Sequence, residues 1–242
     1  MRGFLKVGWR GPLFVFAAVI VLVLAMATTP TMPARFDVTP LAKDAVASRV
    51  EAATVSLVSL GCDLSLDTGT GVDIGGDRVL TNRHVTEHFR SLHLVYDATA
   101  PVMLTPARIG ADQSNDVAVL HPGDLGLTPL LLATDDPRPG EPVWVSGYAH
   151  DPGPDSLSDG LVLAPAHVVS YQSGRDAGQE AQIMRVDVPV RPGMSGGAVV
   201  DQTGRLAGLV FAEQGETNNG LVIPVSVLRG ALLQPLPRPE GC

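Results

Sequence analysis

Short apolar runs separated by turn residues fill most of the chain from residue 53 onward. Runs of this kind, bounded by glycine, proline and aspartate, are typical of β-strands. The apolar runs predict two sets of six strands: Thr54–Leu60, Gly69–Ile74, Arg78–Asn82, Leu92–Tyr96, Ala107–Ala111 and Val117–His121, then Val143–Tyr148, Leu161–Tyr171, Gln182–Val188, Ala198–Asp201, Leu206–Phe211 and Leu221–Ile223. Many short strands joined by tight turns predict an all-β barrel or sandwich.

The segments around the strands are patterned differently. The Pro- and Gly-rich stretch Asp135–Gly140 separates the two sets of strands and predicts a link between them. Residues 31–51 predict a linker and a short helix, because Thr39 followed by Pro40 is typical of a helix start with threonine as the N-cap. Val225–Leu233 predicts a helix that closes the fold.

The first 27 residues have the pattern of an export signal. Basic residues without any acid precede an apolar run that ends in the small-x-small sequence Ala25-Met26-Ala27. The uncharged stretch extends over residues 11–34, and a membrane-spanning helix needs about 20 apolar residues. Residues 1–30 are therefore predicted to be a cleaved signal peptide or a retained anchor, with residues 11–30 as the membrane segment. In either case the body of the protein is predicted to lie outside the cytoplasm.

The net charge, the cysteines and the histidines limit the binding partners and the chemistry expected of the chain. The formal net charge of −8 argues against nucleic acid, because phosphate binding needs clustered Lys and Arg. Two cysteines, Cys62 and Cys242, predict a disulfide if the protein is exported. Five histidines lack metal-ligand spacing and are interpreted as surface or packed side chains: His88, His93, His121, His150 and His167.

The segment Arg191–Gly197 carries the strongest chemical signal in the chain. It places Ser195 among three glycines, between apolar runs that predict strands. Serine is a good nucleophile only when a base takes its proton. Glycines allow a sharp turn that leaves backbone N–H groups free to face a developing oxyanion. The segment therefore predicts a nucleophilic serine held on a loop between strands.

A nucleophilic serine needs a base and an acid that orients the base. All six histidines precede Ser195, and His84 stands out at the end of a predicted strand, in Thr81-Asn82-Arg83-His84-Val85. Asp116 leads directly into the apolar strand Val117–His121. A carboxylate drawn toward the interior is costly unless it is paired, and a histidine N–H is a natural partner. His84 and Asp116 are the predicted base and acid.

These three motifs resemble the catalytic motifs of the trypsin-like (chymotrypsin-fold) serine peptidases, in their order histidine, aspartate, serine. They are most similar to those of the bacterial HtrA/Deg-type and MarP-like periplasmic peptidases. Val145-Ser146-Gly147-Tyr148 is also similar to a strand of their second barrel. The likeness covers about residues 52–233. It implies two six-stranded antiparallel β-barrels with a short C-terminal helix, preceded here by the hydrophobic signal or anchor helix.

The resemblance also implies the domain organisation. One protease domain is expected over residues 52–235, with a first barrel at about 52–134 and a second at about 141–224. The active site is expected in the cleft between the barrels. HtrA proteins carry a peptide-binding PDZ domain after the protease domain, and none is expected in this chain.

The roles of the site residues are carried over from the family. Ser195 is expected to attack the scissile carbonyl, His84 to take and return its proton, and Asp116 to orient the imidazole. The N–H groups of Gly193 and Ser195 are expected to form the oxyanion hole. The implied function is a serine endopeptidase of the cell envelope or the exterior, acting on peptides and proteins. No cofactor or metal is implied, and the membrane is a partner only through an uncleaved N-terminal segment.

Three features depart from the family pattern. Met194 stands where animal digestive peptidases have an acid that pairs with a newly cut N-terminus, so that activation switch is not expected. Arg83 stands where a small or uncharged residue is usual, and it is expected either to point to solvent or to favour acidic substrates. Phe211-Ala212 lacks the hydroxyl that many members carry near the Asp–His pair.

The expected walls of the specificity pocket, Pro189–Met194 and Leu209–Glu213, are mostly apolar. They predict a small or medium apolar side chain at the cleaved position.

Parts of these motifs also match the motifs of other hydrolase families. Gly193–Gly197 also fits the G-x-S-x-G elbow of lipases and esterases, but no histidine follows Ser195. Asp67-Thr68-Gly69 is similar to the D-T-G of aspartic peptidases and of subtilisins. An aspartic peptidase would leave His84 and Asp116 unexplained. A subtilisin would need helices and a histidine context that this sequence lacks. A turn residue is the simpler interpretation of Asp67. The alternative from another class is a catalytically silent protein of this fold that binds peptides or envelope partners.

Overall fold

Thirteen strands and two α-helices form the part of the chain that the computed structural model describes, residues 41–96, 102–149, 160–214 and 218–242. The predicted signal or anchor segment at residues 1–30 and His150 lie outside these residues. Among the described helices, none has the length and apolar character needed to cross a bilayer. The all-β class predicted from the apolar runs is confirmed.

The first β unit is a seven-stranded antiparallel sheet with the strand order β5-β4-β1-β2-β3-β7-β6. Its strands are β1 Thr54–Gly61, β2 Leu66–Asp73, β3 Val79–Asn82, β4 Phe89–Tyr96, β5 Val102–Leu104, β6 Arg108–Asp112 and β7 Val117–His121. Six strands were expected here. The seventh is the short β5, which pairs with the end of β4.

The second β unit is a closed antiparallel barrel of six strands, in the order β10-β13-β12-β11-β8-β9. Its strands are β8 Pro142–Tyr148, β9 Leu161–Ser173, β10 Gln182–Val186, β11 Ala198–Val200, β12 Leu206–Gln214 and β13 Asn219–Pro224. The barrel leaves its loops, including the serine segment between β10 and β11, at its rim.

Apolar side chains fill each β unit and the space between the units. One buried cluster surrounds Leu57 and Leu120 in the first sheet, and a second surrounds Met184 in the barrel. A third cluster joins side chains from both β units and both helices, including Val46, Val50, Leu80, Ala198, Leu206, Ile223 and Leu228. Burial of apolar surface is the main favourable term in folding, so this shared cluster fixes the two β units against each other.

The two helices are held at their starts in different ways. Helix α1 spans Lys43–Glu51 with Ala42 as its N-cap and no side-chain cap, so it begins later than predicted. The predicted start at Thr39 and Pro40 lies outside the described residues. The helix prediction at the C-terminus is confirmed by α2, Val225–Leu232. Asp136, in the link between the β units, accepts hydrogen bonds from the backbone N–H of Ser226 at 2.9 Å and from its hydroxyl at 2.6 Å. A carboxylate at this end of a helix satisfies free N–H groups and is favoured by the helix dipole.

The last residues return to the first sheet. The carbonyl of Pro237 accepts the N–H of Ala111, and the carbonyl of Glu240 accepts the N–H of His88. A disulfide joins Cys62 to Cys242 with a Cα–Cα distance of 5.6 Å. The C-terminal segment is therefore tied to the first β unit by hydrogen bonds and by a covalent bond.

Candidate active site

His84 lies at the end of β3, where the chain leaves the strand and makes one 3₁₀ turn over His84–Thr86. The hydroxyl of Thr86 donates to the carbonyl of Arg83 at 2.8 Å and stabilises this turn. The side chain of His84 is 44% exposed. The turn therefore fixes the backbone of His84, while its imidazole is partly open to solvent.

Asp116 binds the residues around His84 with both its backbone and its carboxylate. Its carbonyl accepts the N–H of Arg83 at 3.0 Å and the side-chain amide of Asn82 at 3.2 Å. Its Oδ1 accepts the backbone N–H of His84 at 2.9 Å, and its Oδ2 lies 2.7 Å from Nδ1 of the ring. Asp116 has a positive φ of 53°, a conformation that aspartate tolerates better than most residues. This backbone turn directs the carboxylate at the imidazole.

Arg83 also lies close to this carboxylate. Its side chain is 28% exposed; its Nη1 forms an ion pair with Oε1 of Glu87, and its Nε lies 3.9 Å from Oδ1 of Asp116. Arg83 was expected either to point to solvent or to favour acidic substrates. Neither expectation describes an arginine that contacts two acids of its own chain.

The serine segment forms a tight turn over Arg191–Met194. The N–H of Met194 donates to the carbonyl of Arg191 at 3.1 Å, and Gly193 has a φ of 84°. A type II turn has Pro at its second position and a residue with positive φ, usually Gly, at its third. The sequence Arg-Pro-Gly-Met therefore encodes this turn directly.

The backbone N–H groups of this segment differ in whether they have an acceptor among the described residues. The N–H groups of Gly196 and Gly197 donate to the carbonyls of Val210 and Met194, both at 2.8 Å. Those of Gly193 and Ser195 have no acceptor within the described part of the chain. Free, fixed donors of this kind are what a developing oxyanion requires.

The hydroxyl of Ser195 donates to the carbonyl of Phe211 at 3.5 Å. Within the described residues it makes no hydrogen bond to His84, whose Nε2 has no partner. Catalytic hydrogen bonds are often long or poorly aligned without substrate and tighten when it binds. The structure brings Asp116 and His84 together, and the hydrogen bond between Ser195 and His84 is not formed among the described residues.

Two residues of this region were not predicted to hold the site. Met194 is 2% exposed and packs in the core of the barrel, and its sulfur accepts the N–H of Arg191 at 3.3 Å. Thr70 is fully buried on β2 and makes hydrogen bonds to the carbonyls of Gly193 and Ser195. Only the small, polar Thr-Gly-Thr-Gly sequence of β2 marked Thr70 as unusual for a buried strand.

Comparison with known proteins places this arrangement in a family. Residues 69–209, more than half of the chain, match the trypsin-like peptidase domain. The chain belongs to the trypsin-like peptidase family. It is similar to serine protease Rv3671c and to HtrA-like serine proteases, and the predicted recognition is confirmed.

Curated relatives of the family are longer than this chain. Serine protease Rv3671c of Mycobacterium tuberculosis is 29% identical over 214 residues, which cover 84% of this chain and 51% of the relative. A serine protease HtrA-like of Staphylococcus epidermidis is 28% identical over 239 residues, covering 86% of this chain and 40% of the relative. The chain spans about half the length of the curated relatives it matches, or less.

Solved structures share the fold. The active form of the Rv3671c protease from M. tuberculosis has a TM-score of 0.69 at 24% identity, covering 84% of this chain and 90% of that one. The inactive form has a TM-score of 0.64 at 26% identity, covering 81% and 96%. An HtrA-type protease AlgW with a tripeptide has a TM-score of 0.68 at 20% identity, covering 80% and 63%.

Proposed function

We propose that the protein is a serine endopeptidase in which Ser195 is the nucleophile, His84 the general base and Asp116 the residue that orients the base. The observation that carries this proposal is the pair of contacts from Asp116 to His84, at 2.9 Å to the backbone N–H and 2.7 Å to Nδ1. A proton on Nδ1 leaves Nε2 as the acceptor, and Nε2 has no hydrogen-bond partner among the described residues.

The reaction follows from these positions. His84 Nε2 takes the proton of Ser195 as its Oγ attacks the scissile carbonyl carbon, and the carbonyl oxygen becomes an oxyanion. The free N–H groups of Gly193 and Ser195 bind that oxyanion. His84 then gives its proton to the leaving amine, and water repeats the sequence to release the acyl group.

We propose that this chemistry takes place in the cell envelope or outside the cell. The Cys62–Cys242 disulfide supports this location, because disulfides persist in oxidising compartments. The export-like pattern of residues 1–30 agrees with it. The proposed substrates are peptides and proteins with a small or medium apolar residue at the cleaved position, and a peptide-library digest that shows preference for Arg or Lys would refute this specificity.

Labelling with a fluorophosphonate probe tests the proposed activity without a known substrate. The wild type is expected to form a covalent adduct on Ser195, and Ser195→Ala is expected to form none. Ser65→Ala, in the exposed hairpin between β1 and β2, is the control for a serine that carries no such role and is expected to label like the wild type. Casein should be cleaved by the wild type and by Ser65→Ala, and should not be cleaved by Ser195→Ala.

A second candidate is a catalytically silent member of the fold that binds peptides. The observation that favours it is the hydrogen bond from Ser195 to the Phe211 carbonyl in place of one to His84. Absence of labelling in a folded wild-type protein, together with binding of an unreactive peptide, would favour this candidate over the peptidase.

A further inference from the structure

Thr70 links the first β unit to the serine turn of the second. It lies on β2 and is fully buried. Its backbone N–H donates to the carbonyl of Ser195 at 2.8 Å, and its hydroxyl donates to the carbonyl of Gly193 at 2.8 Å. Thr70 therefore contacts both residues whose N–H groups are free in the proposed oxyanion hole.

Two further hydrogen bonds fix Thr70 itself. Its hydroxyl oxygen accepts the backbone N–H of Tyr148 at 2.8 Å, and its carbonyl accepts the hydroxyl of Thr81 at 2.7 Å. Because Tyr148 N–H is a donor, the single hydroxyl hydrogen of Thr70 is left for Gly193. Thr81 lies on β3, the strand that leads to His84. The chain of contacts thus runs from the strand of the proposed base to the turn beside the proposed nucleophile.

The position of the Gly193 carbonyl explains why this contact matters. That carbonyl belongs to the peptide plane between Gly193 and Met194. The two free N–H groups belong to the planes on either side, Pro192–Gly193 and Met194–Ser195. Holding the central plane restricts the rotation of both donor planes. A glycine at a positive φ is the residue that rotates most easily, so an external hydrogen bond has most effect there.

We infer that Thr70 is a positioning residue that holds the oxyanion turn through its hydroxyl. This inference rests on the proposed peptidase function. It gives Thr70 no contact with substrate; the residue acts through Gly193 and Ser195. Preorganised donors are effective only when they do not reorganise during the reaction, and Thr70 supplies the restraint.

The test compares Thr70→Val, which is close in shape but lacks the hydroxyl, with Thr70→Ser, which keeps it. The substrate is a quenched fluorescent peptide selected from a library with the wild type. Thr70→Val is expected to lower kcat by about 10- to 100-fold with KM changed less than about threefold, because small misplacements of catalytic groups cost rate of this order. Thr70→Ser is expected to recover kcat to within about threefold. Affinity for a boronic acid of the same peptide should fall in parallel with kcat/KM.

Thr54→Val is the matched control. Thr54 is also a buried threonine whose hydroxyl donates to a backbone carbonyl, that of Val50 at 2.6 Å, and it has no hydrogen bond to the serine turn. It is expected to keep the wild-type kcat. Wild-type kcat in Thr70→Val, equal loss in Thr70→Ser, or equal loss in Thr54→Val would each overturn the inference. Thr70→Ala provides a smaller hydroxyl-free variant if the valine variant does not fold.

Two measurements separate this inference from the proposed function. Peptide hydrolysis that survives Ser195→Ala overturns the peptidase proposal, whereas an inert Ser195→Ala beside a fully active Thr70→Val overturns only the role of Thr70. A crystal structure of Thr70→Val needs no turnover: the Gly193–Met194 peptide is expected to rotate, and an unchanged turn would overturn the positioning role.

Discussion

Asp116 binds His84 through both carboxylate oxygens, one on the backbone N–H and one on the ring. His167 and Asp187 repeat this arrangement at the surface: Oδ1 accepts the N–H at 2.6 Å and Oδ2 lies 3.3 Å from Nδ1. The two aspartate side chains differ in exposure, 4% for Asp116 and 47% for Asp187. The same aspartate–histidine pairing is thus found with a buried carboxylate at His84 and with a solvent-exposed carboxylate at His167.

Asp116→Asn tests the orienting role. With its oxygen on the backbone N–H of His84, the asparagine presents its NH₂ donor to Nδ1. The imidazole is therefore expected to take the wrong tautomer and kcat to fall by about 10⁴. The rate of fluorophosphonate labelling measures the loss, and thermal unfolding shows whether the fold is kept. Asp187→Asn removes the same contact from the exposed pair and should leave the labelling rate unchanged. Equal effects of the two substitutions would contradict the proposed role.

Gly196→Ala tests the close packing of the serine turn. Gly196 has a φ of 83°, and a Cβ there would lie 2.1 Å from the carbonyl oxygen of Thr70. Labelling is expected to fall at least about 100-fold because the turn must move. Gly140 has a φ of 85° with open space around it, so Gly140→Ala isolates the backbone strain, about 1–2 kcal/mol, and should keep full labelling.

Replacing both cysteines by serine, at Cys62 and Cys242, tests the contribution of the disulfide to stability. The bond closes a loop with a sequence separation of 180 residues. The free energy of unfolding is expected to fall by about 2–5 kcal/mol, since the cross-link restricts the unfolded chain. Urea unfolding measures the change. Dithiothreitol should lower the stability of the wild type and have no effect on the double variant; a double variant as stable as the oxidised wild type would refute the prediction.

Tyr171 gives the stability a specific dependence on alkaline pH. Its hydroxyl donates to the carbonyl of Pro137 at 2.6 Å. Burial raises the pKa of Tyr171 well above its ordinary value of 10.0, and the charges of Asp136 and Glu141 raise it further. Above pH 10 the unfolded chain therefore loses this proton before the folded chain does, so stability falls as the pH rises.

Tyr171→Phe is the variant that isolates this effect. Near pH 8 it is expected to be less stable by about 1 kcal/mol, the usual net value of one hydrogen bond. That deficit should shrink between pH 10 and pH 11, because only the wild type loses stability through Tyr171. Urea unfolding across this range measures both variants, and a deficit that stays constant with pH would argue against the assignment.

The strands were predictable because each is a separate apolar run between turn residues. Val117–His121 was predicted with its observed bounds, and the other strands differ mainly at their ends. The strand β5 was missed because it has three residues and is defined by pairing with β4 rather than by its own pattern. The start of α1 was misplaced at Thr39, since its buried Val46 and Val50 hold the helix and no side chain caps it.

The candidate site was predictable where one residue type is chemically required and unpredictable where the contact depends on folding. His84, Asp116 and Ser195 were named from local motifs. Thr70 is more than a hundred residues from the serine turn in sequence, and its hydrogen bond to Gly193 exists only after the two β units pack. Arg83 was noted from its position, but its two acidic contacts depend on local folding. The ion pair with Glu87 spans the turn over His84–Thr86, and the approach to Asp116 follows from the turn that Asp116 makes.

The Cys62–Cys242 disulfide encloses nearly all of both β units in one covalent ring. A single backbone cut at any point between the two cysteines therefore leaves both pieces attached to each other. In the proposed peptidase, one self-inflicted nick in a loop would therefore not release a fragment. Such a nicked molecule runs as an intact chain on a non-reducing gel and as two chains after reduction.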